Sequence, residues 1–286
     1  MDSVWKAVER RQNDDKIKKL LNDVTEAKDL LEASLIQKEA LIEEIEQARE
    51  DLELAIKEKD LFFSIIAHDL RSPFSGFLGF TKIMAEEIQD LSIREIQDIT
   101  KQMQGSANNL YALLENLLQW ARMQSGKLIF NPQFASINEL IRSNIDLISL
   151  RAKIKGIKID FAEDKEILAE MDVNMIDGVL RNLLSNALKY TNSGGNINIS
   201  IIDAGSEISV IVRDDGIGMS EKITKNLFTI VNKQSRAGTE NETGTGLGLI
   251  LSKDYIDAHK GRISVHSSVN LGSSFIFTIP KNLQFN

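Results

Sequence analysis

Residues Leu61–Pro73 read LFFSIIAHDLRSP. An apolar run of helical character is interrupted there by His68, Asp69 and Arg71, and it meets Pro73, which has no amide donor and crowds the preceding turn. The segment predicts a helix that kinks just past His68. The histidine stands two residues from the apolar position Ile66, so it is expected to project away from the packed face.

Upstream, Leu20 to Ile66 contains neither proline nor glycine. Leu21, Val24, Leu31, Leu35, Ile42, Ile45, Leu52, Ile56, Phe63 and Ile66 fall on one heptad seam, which predicts a coiled coil. Lys28, Lys38, Arg49 and Lys59 share that seam and weaken it, with their stems snorkelling outward. A neighbouring register through Leu20, Ala27, Leu41, Ala48 and Phe62 shares Val24, Leu31, Ile45 and Leu52, so two helix rotations nearly compete. The segment reads either as a dimerising helix that conducts a signal or as an inert spacer. Downstream, a polar turn near Ile88 to Ser92 precedes a second heptad through Ile93, Ile96, Ile99, Met103, Ala107, Leu110, Leu114, Leu117 and Ala121. Two amphipathic helices on a short loop make an antiparallel hairpin. Each carries one apolar stripe, best buried by pairing with a second copy as a four-helix bundle, so a homodimer is expected.

Composition narrows the function classes. A hydrophobic share of 42% supports a core, while a net charge of −8 argues against a nucleic-acid partner. With no cysteine there is no disulfide, thiolate metal site or cysteine nucleophile. No apolar stretch approaches the ~20 residues needed to span a bilayer, so no membrane-spanning segment is expected. The expected location is cytoplasmic, including the case of a cytoplasmic part of a longer membrane receptor.

After Gly126 the pattern changes to strand-like runs, GIKIDFAE, NINISIIDA, EISVIVRDD, RISVHSS and SSFIFTIP, alternating with helices near Ile137–Lys153, Val173–Tyr190 and Leu247–His259. The expected fold class is therefore α + α/β: an N-terminal coiled coil (1–59), a helical hairpin forming a dimeric four-helix bundle (60–126), and an α/β sandwich domain (127–286). Thr229–Thr243 is polar with little periodicity and is a candidate lid.

Three short motifs bear chemistry. In NLLSNALKYT, Asn182 and Asn186 lie one turn apart on a helix, with Lys189 near the same face. The Asn186 amide oxygen is a hard ligand suited to Mg²⁺, Lys189 offers charge to phosphates, and Tyr190 a face for a base. On their own, two such asparagines are more often capping or surface residues. In VRDDGIGM a strand ends at Asp214 and runs into Gly216 and Gly218. A carboxylate there can accept from the exocyclic amine of adenine, although a DG pair is equally a hairpin signal. Strand alternation puts Asp214 and Asp215 on opposite faces and favours Asp214. TGTGLGL sets Gly244, Gly246 and Gly248 at a helix start, where free amides and the dipole favour phosphate. It is neither a Walker pattern nor a dinucleotide fingerprint. His259 and His266 show no metal spacing and read as structural or solvated.

In this order the motifs resemble the sensor histidine kinases of two-component systems. FFSIIAHDLRSPFSGFLGF is similar to their histidine box, NLLSNALKYT to the asparagine box, DDGIGM and GTGLGL to the glycine boxes, and LFTIV around Phe228 to a phenylalanine box lacking its second phenylalanine. The resemblance spans about Leu61 to Pro280. It implies an ATP-binding domain of the gyrase, heat-shock chaperone, histidine kinase and mismatch-repair superfamily, with ATP and Mg²⁺ as cofactors. It implies His68 as phospho-acceptor, Asp69 as its base where glutamate is usual, and Ser72 in the phosphatase position where threonine or asparagine is usual. Asn186 becomes the metal ligand; Asn182, Lys189, Tyr190, Asp214, Gly216, Gly218 and Phe228 line the nucleotide site, and Gly244, Thr245, Gly246, Leu247 and Gly248 form its phosphate turn. The implied partner is the receiver domain of a response regulator. A superfamily ATPase clamp is disfavoured because Ser185, not a carboxylate, precedes Asn186; a catalytically dead scaffold is disfavoured by the retained motifs.

Overall fold

The structure, a computed structural model, describes residues 2–124, 130–162, 165–229, 238–240 and 247–283; the side chains of residues 2–15, 58, 61, 62, 65, 68, 120 and 124 lie outside that description. Two helices come first, α1 (Asp2–Glu87) and α2 (Ile93–Gln124). Pro73 sits inside α1 without ending it. The turn between the helices closes on a reciprocal cap. Ser92 N donates to Glu95 Oε2 at 2.8 Å and Glu95 N donates to Ser92 Oγ at 3.3 Å, so two amides at the start of α2 find partners.

The chain divides into two compact units, Met1–Asp60 and Leu61–Asn286. Within the first, the heptad residues Leu21, Val24, Leu31, Leu35, Ile42, Ile45, Leu52 and Ile56 are all exposed.

The second unit continues through β1 (Gln133–Ser136), α3 (Ile137–Lys155), β2 (Lys158–Ala162), β3 (Leu168–Met171), α4 (Val173–Tyr190), β4 (Asn196–Asp203), β5 (Glu207–Asp214), α5 (Glu221–Thr224), α6 (Gly248–Ala258), β6 (Arg262–Ser267) and β7 (Ser273–Pro280). Five strands form a mixed sheet in the order β2-β4-β5-β7-β6, and β1 pairs with β3 in a separate two-stranded sheet. Among the described strands only β2 and β4 run parallel. The chain between them contains α4, as a parallel connection requires a long crossover.

Period-two alternation sets which face of the sheet is covered. Along β5, Ile208, Val210, Val212 and Asp214 point inward while Arg213 is exposed. On β7, Phe275, Phe277 and Ile279 do the same. Opposite them α4 presents Met175, Ile176, Val179, Leu180, Leu183, Leu184, Ala187 and Leu188, all buried. At about 1.5–3 kcal/mol for each large apolar side chain fully removed from water, this stripe is a main stabiliser of the domain. Helix α4 is capped at both ends. Asp172 Oδ1 accepts from the amides of Asn174 and Met175, and the buried Lys155 Nζ donates to Leu188 O at 2.9 Å. A cation at a helix C-terminus is favoured by the dipole as well as by the hydrogen bond.

The sequence pattern does not reveal β1, β3 or α5. Each has four residues, too short for periodicity to show, and β1 exists through its register with β3 (Phe134 opposite Glu170). No described helix is long and apolar enough to cross a membrane.

Candidate active site

One face of α4 holds the polar residues of the site. Asn186 Nδ2 donates to Asn182 Oδ1 at 3.3 Å, one turn back, and Asn182 Nδ2 donates to Ser252 Oγ on α6 at 2.9 Å. With its NH₂ so engaged, Asn186 Oδ1 has no protein partner among the described residues. A lone amide oxygen of this kind suits a hard cation that takes its remaining ligands from phosphate and water. Among the described residues no group of three His, Asp or Glu gathers as a ready-made metal cage. Lys189 is buried, and its Nζ lies 4.7 Å from the Tyr190 ring centroid, so charge and aromatic face are partners of each other.

Asp214 ends β5 on the inner face, 4% exposed. Its Oδ1 accepts from the amides of Gly216 at 2.9 Å and Ser273 at 3.2 Å. Its Oδ2 has no partner among the described residues. That oxygen is an acceptor held in place, the complement of an exocyclic amine. Asp215, by contrast, is exposed and receives both the backbone and side-chain N–H groups of Asn196, at 2.8 Å each. Gly218 follows in a left-handed turn, φ 58°, where an added Cβ would come within 1.9 Å of Ser268 O. The glycine is thus demanded by the protein's own backbone.

Burial pushes the Asp214 carboxyl up to about 6 from 3.8, against the lowering effect of its two amide donors. The proton is therefore held more tightly in the fold than in the unfolded chain. Stability from this group is fully present below about pH 4 and is lost as pH rises through about 6, roughly 3 kcal/mol in all. The converse holds for a ligand amine that needs the ionised oxygen. Adenine-nucleotide affinity is expected to fall as pH drops through about 6; calorimetric titration across that window, flat in Asp214→Asn, checks it.

Helix α6 brings the hairpin to this site. Leu247 and Ile250 at its start pack with Ile66 and Leu70 of α1 and Leu113 and Leu117 of α2. Near its other end Tyr255 OH donates to Gln119 Oε1 of α2 at 3.0 Å. Ile66 stands two residues before His68. The side chain of His68 itself lies outside the described residues, as do Gly244, Thr245 and Gly246 and, apart from Thr229 and residues 238–240, the candidate lid. Asp69 is half-buried and Ser72 exposed on the next turn; Phe228 is half-buried against the main core.

Several residues of the site escape the sequence reading. Thr239 is one: its amide donates to Lys189 O at 3.0 Å and its hydroxyl to Thr191 O at 2.9 Å, pinning part of the lid segment to the end of α4. Ser252 is another, since its hydroxyl accepts from Asn182 Nδ2; Asp172 lies at the opposite end of α4, outside the site, and is legible as an N-cap because it directly precedes the periodic run of that helix. His259 is structural, as expected. It is fully buried, its Nδ1 lies 2.6 Å from Tyr255 O, and its Nε2 accepts from Asp172 N at 3.0 Å. Those partners require the neutral ring, and burial lowers its pKa in the same sense. His266 is exposed on β6.

Fold and site together define a nucleotide-binding α/β domain packed on a helical hairpin. Residues 171–283 match the family described as histidine kinase-, DNA gyrase B-, and HSP90-like ATPase, and residues 58–126 match the His Kinase A (phospho-acceptor) domain. The two matched domains support a sensor histidine kinase of two-component systems. It is 30% identical over 280 residues to the signal transduction histidine-protein kinase BarA of Escherichia coli, covering 93% of this chain and 29% of that protein. It is 30% identical over 257 residues to the non-motile and phage-resistance protein of Caulobacter vibrioides, covering 87% and 30%. The chain thus spans under a third of the length of these curated relatives. Among solved structures, histidine kinase AdeS of Acinetobacter baumannii shares the fold at 20% identity and TM-score 0.60, covering 75% of this chain and 98% of that one. Histidine kinase ThkA in complex with the response regulator protein TrrA does so at 24% identity and TM-score 0.60, covering 77% and 61%.

Proposed function

We propose that this chain is an ATP-dependent protein-histidine kinase that phosphorylates its own His68 and passes the phosphoryl group to an aspartate of a response regulator. The observation that carries the reading is the junction at α6: the helix that follows the glycine turn packs against Ile66 and Leu70, the turns flanking His68. In this reading residues 60–126 form the acceptor hairpin, 127–286 the ATP-binding domain and 1–59 the leading helix. The exposed heptad seam supports a homodimer, and the absence of a spanning helix among the described residues agrees with work in the cytoplasm.

Asp214 Oδ2 accepts from the adenine amine, and Phe228 anchors the lid. Asn186 Oδ1 would hold Mg²⁺, which supplies charge neutralisation at the phosphates when bound. The residues after Thr243 would receive the phosphates at the start of α6. A neutral His68 nitrogen then forms a bond to the γ-phosphorus as the bond to the β,γ-bridging oxygen breaks, and that electron pair leaves with ADP. The proton on the other ring nitrogen passes to Asp69. Ser72 keeps a hydroxyl one turn on, where it can orient water for dephosphorylating the partner regulator. Incubation with γ-labelled ATP tests the reading: acid-labile label on the protein supports it, whereas free phosphate alone marks an ATPase clamp and neither marks a scaffold.

The two registers of the leading coiled coil carry a further expectation. A helix turns about 100° per residue, so one residue inserted between Glu53 and Asp60 throws the seam out of phase with the His68 helix, and seven restore it. Autophosphorylation should vary with insertion length at roughly a seven-residue period. A smooth decline, in protein shown to be dimeric by light scattering, would mark the segment as a spacer.

A further inference from the structure

A hydrogen-bond chain with a fixed direction runs from α6 to the outward oxygen of Asn186. Its first link is a backbone carbonyl. Ser252 is 1% exposed, and its hydroxyl lies 2.8 Å from Gly248 O, one turn back on α6. A carbonyl only accepts, so the single hydroxyl proton of Ser252 is committed to it. Ser252 Oγ must then accept from its other neighbour, which turns the NH₂ of Asn182 toward it at 2.9 Å. The opposite end of that amide is consequently an oxygen, and it faces Asn186. To meet it Asn186 must present its own NH₂, at 3.3 Å. What remains, pointing away from the chain, is Asn186 Oδ1.

If the Asn182 amide were reversed, each later link would reverse with it. Asn186 would then offer two N–H donors to the position where a cation is needed. The close fit of the two helices keeps the chain in register, because Asn182 Oδ1 lies only 2.3 Å from where a Cβ on Gly248 would be. Gly248 therefore serves the contact between α4 and α6, whatever else its turn does.

We propose that Ser252 is a positioning residue for the divalent cation: by committing its proton to Gly248 O it orients Asn182, and through Asn182 aims the Asn186 oxygen outward. This rests on the reading of Asn186 as the metal ligand. It also ties the helix that follows the phosphate turn to the helix that holds the metal ligand, so the two ends of the MgATP site are set by one polar relay.

The test is the ratio of ATP affinity with Mg²⁺ to that with excess EDTA, measured by calorimetry on the full chain. Ser252→Ala is expected to lower this ratio about five-fold, the scale of one orienting hydrogen bond, with little change in metal-free affinity. In an Asn182→Asp background the relay no longer needs the hydroxyl, because a carboxylate presents only acceptors and Asn186 Nδ2 must donate to it. There, adding Ser252→Ala should change the ratio less than about two-fold, a non-additivity that plain loss of packing does not produce. Equal weakening with and without Mg²⁺, or the same cost in both backgrounds, overturns the proposal. Asn186→Ala separates this from the reading beneath it. If that variant keeps the Mg²⁺ gain, the ligand assignment fails. If it loses the gain while Ser252→Ala keeps it, only the relay fails.

Discussion

Replacing His68 by glutamine is expected to remove all acid-labile label from the protein, a fall of at least about a thousand-fold, while ATP affinity stays within about three-fold. Glutamine keeps polarity and much of the size but has no nucleophilic ring nitrogen. The nucleotide groups Asn186 and Asp214 belong to α4 and β5, whereas His68 belongs to α1. The binding step should therefore survive the loss of the chemical step. Two measurements separate the cases: filter-bound label after incubation with γ-labelled ATP, and calorimetric affinity for the same nucleotide. Persisting label in His68→Gln would move the acceptor elsewhere, and loss of ATP binding would mean that the change disturbs more than the nucleophile.

Asp214→Asn is expected to weaken ATP on the order of a hundred-fold while weakening GTP little. Two backbone amides, from Gly216 and Ser273, already face the inner oxygen of Asp214. The new side chain must keep its single oxygen there, since the NH₂ would clash with two donors. Its NH₂ is then forced into the place of Oδ2 and meets the amine of adenine donor to donor. A buried polar pair left unsatisfied in this way costs several kcal/mol. Guanine presents a carbonyl oxygen instead and can accept. An unchanged ratio of ATP to GTP affinity would show that this carboxylate does not read the base.

The surroundings of Asp214 also explain why the site is only partly legible in the sequence. Strand alternation along EISVIVRDD was sufficient to predict that Asp214 and Asp215 face opposite ways, and the structure buries the first and leaves the second on the surface with Asn196. That two amides take one oxygen and leave the other depends on Gly216 and Ser273, which are 57 positions apart and meet only because β5 pairs with β7. The same division applies on α4. Helical period brings Asn182 and Asn186 together from spacing alone, but nothing in NLLSNALKYT names Ser252, which is 70 residues away in sequence and decides which way both amides point.

Local chemistry, then, determines much of this protein from its sequence: the boundaries of α4, the hairpin turn at 88–92, the five strands of the main sheet, and the residue types suited to phosphate, metal and base. These depend on neighbours within one turn or one strand, where periodicity and capping act directly. Only tertiary structure decides the pairing of the four-residue strands β1 and β3, the anchoring of Thr239 on the end of α4, and the packing of Leu247 and Ile250 against the turns flanking His68. Each of these is a contact between segments distant in sequence, whose partners carry no shared period. Its energy appears only once the core has brought the two surfaces together.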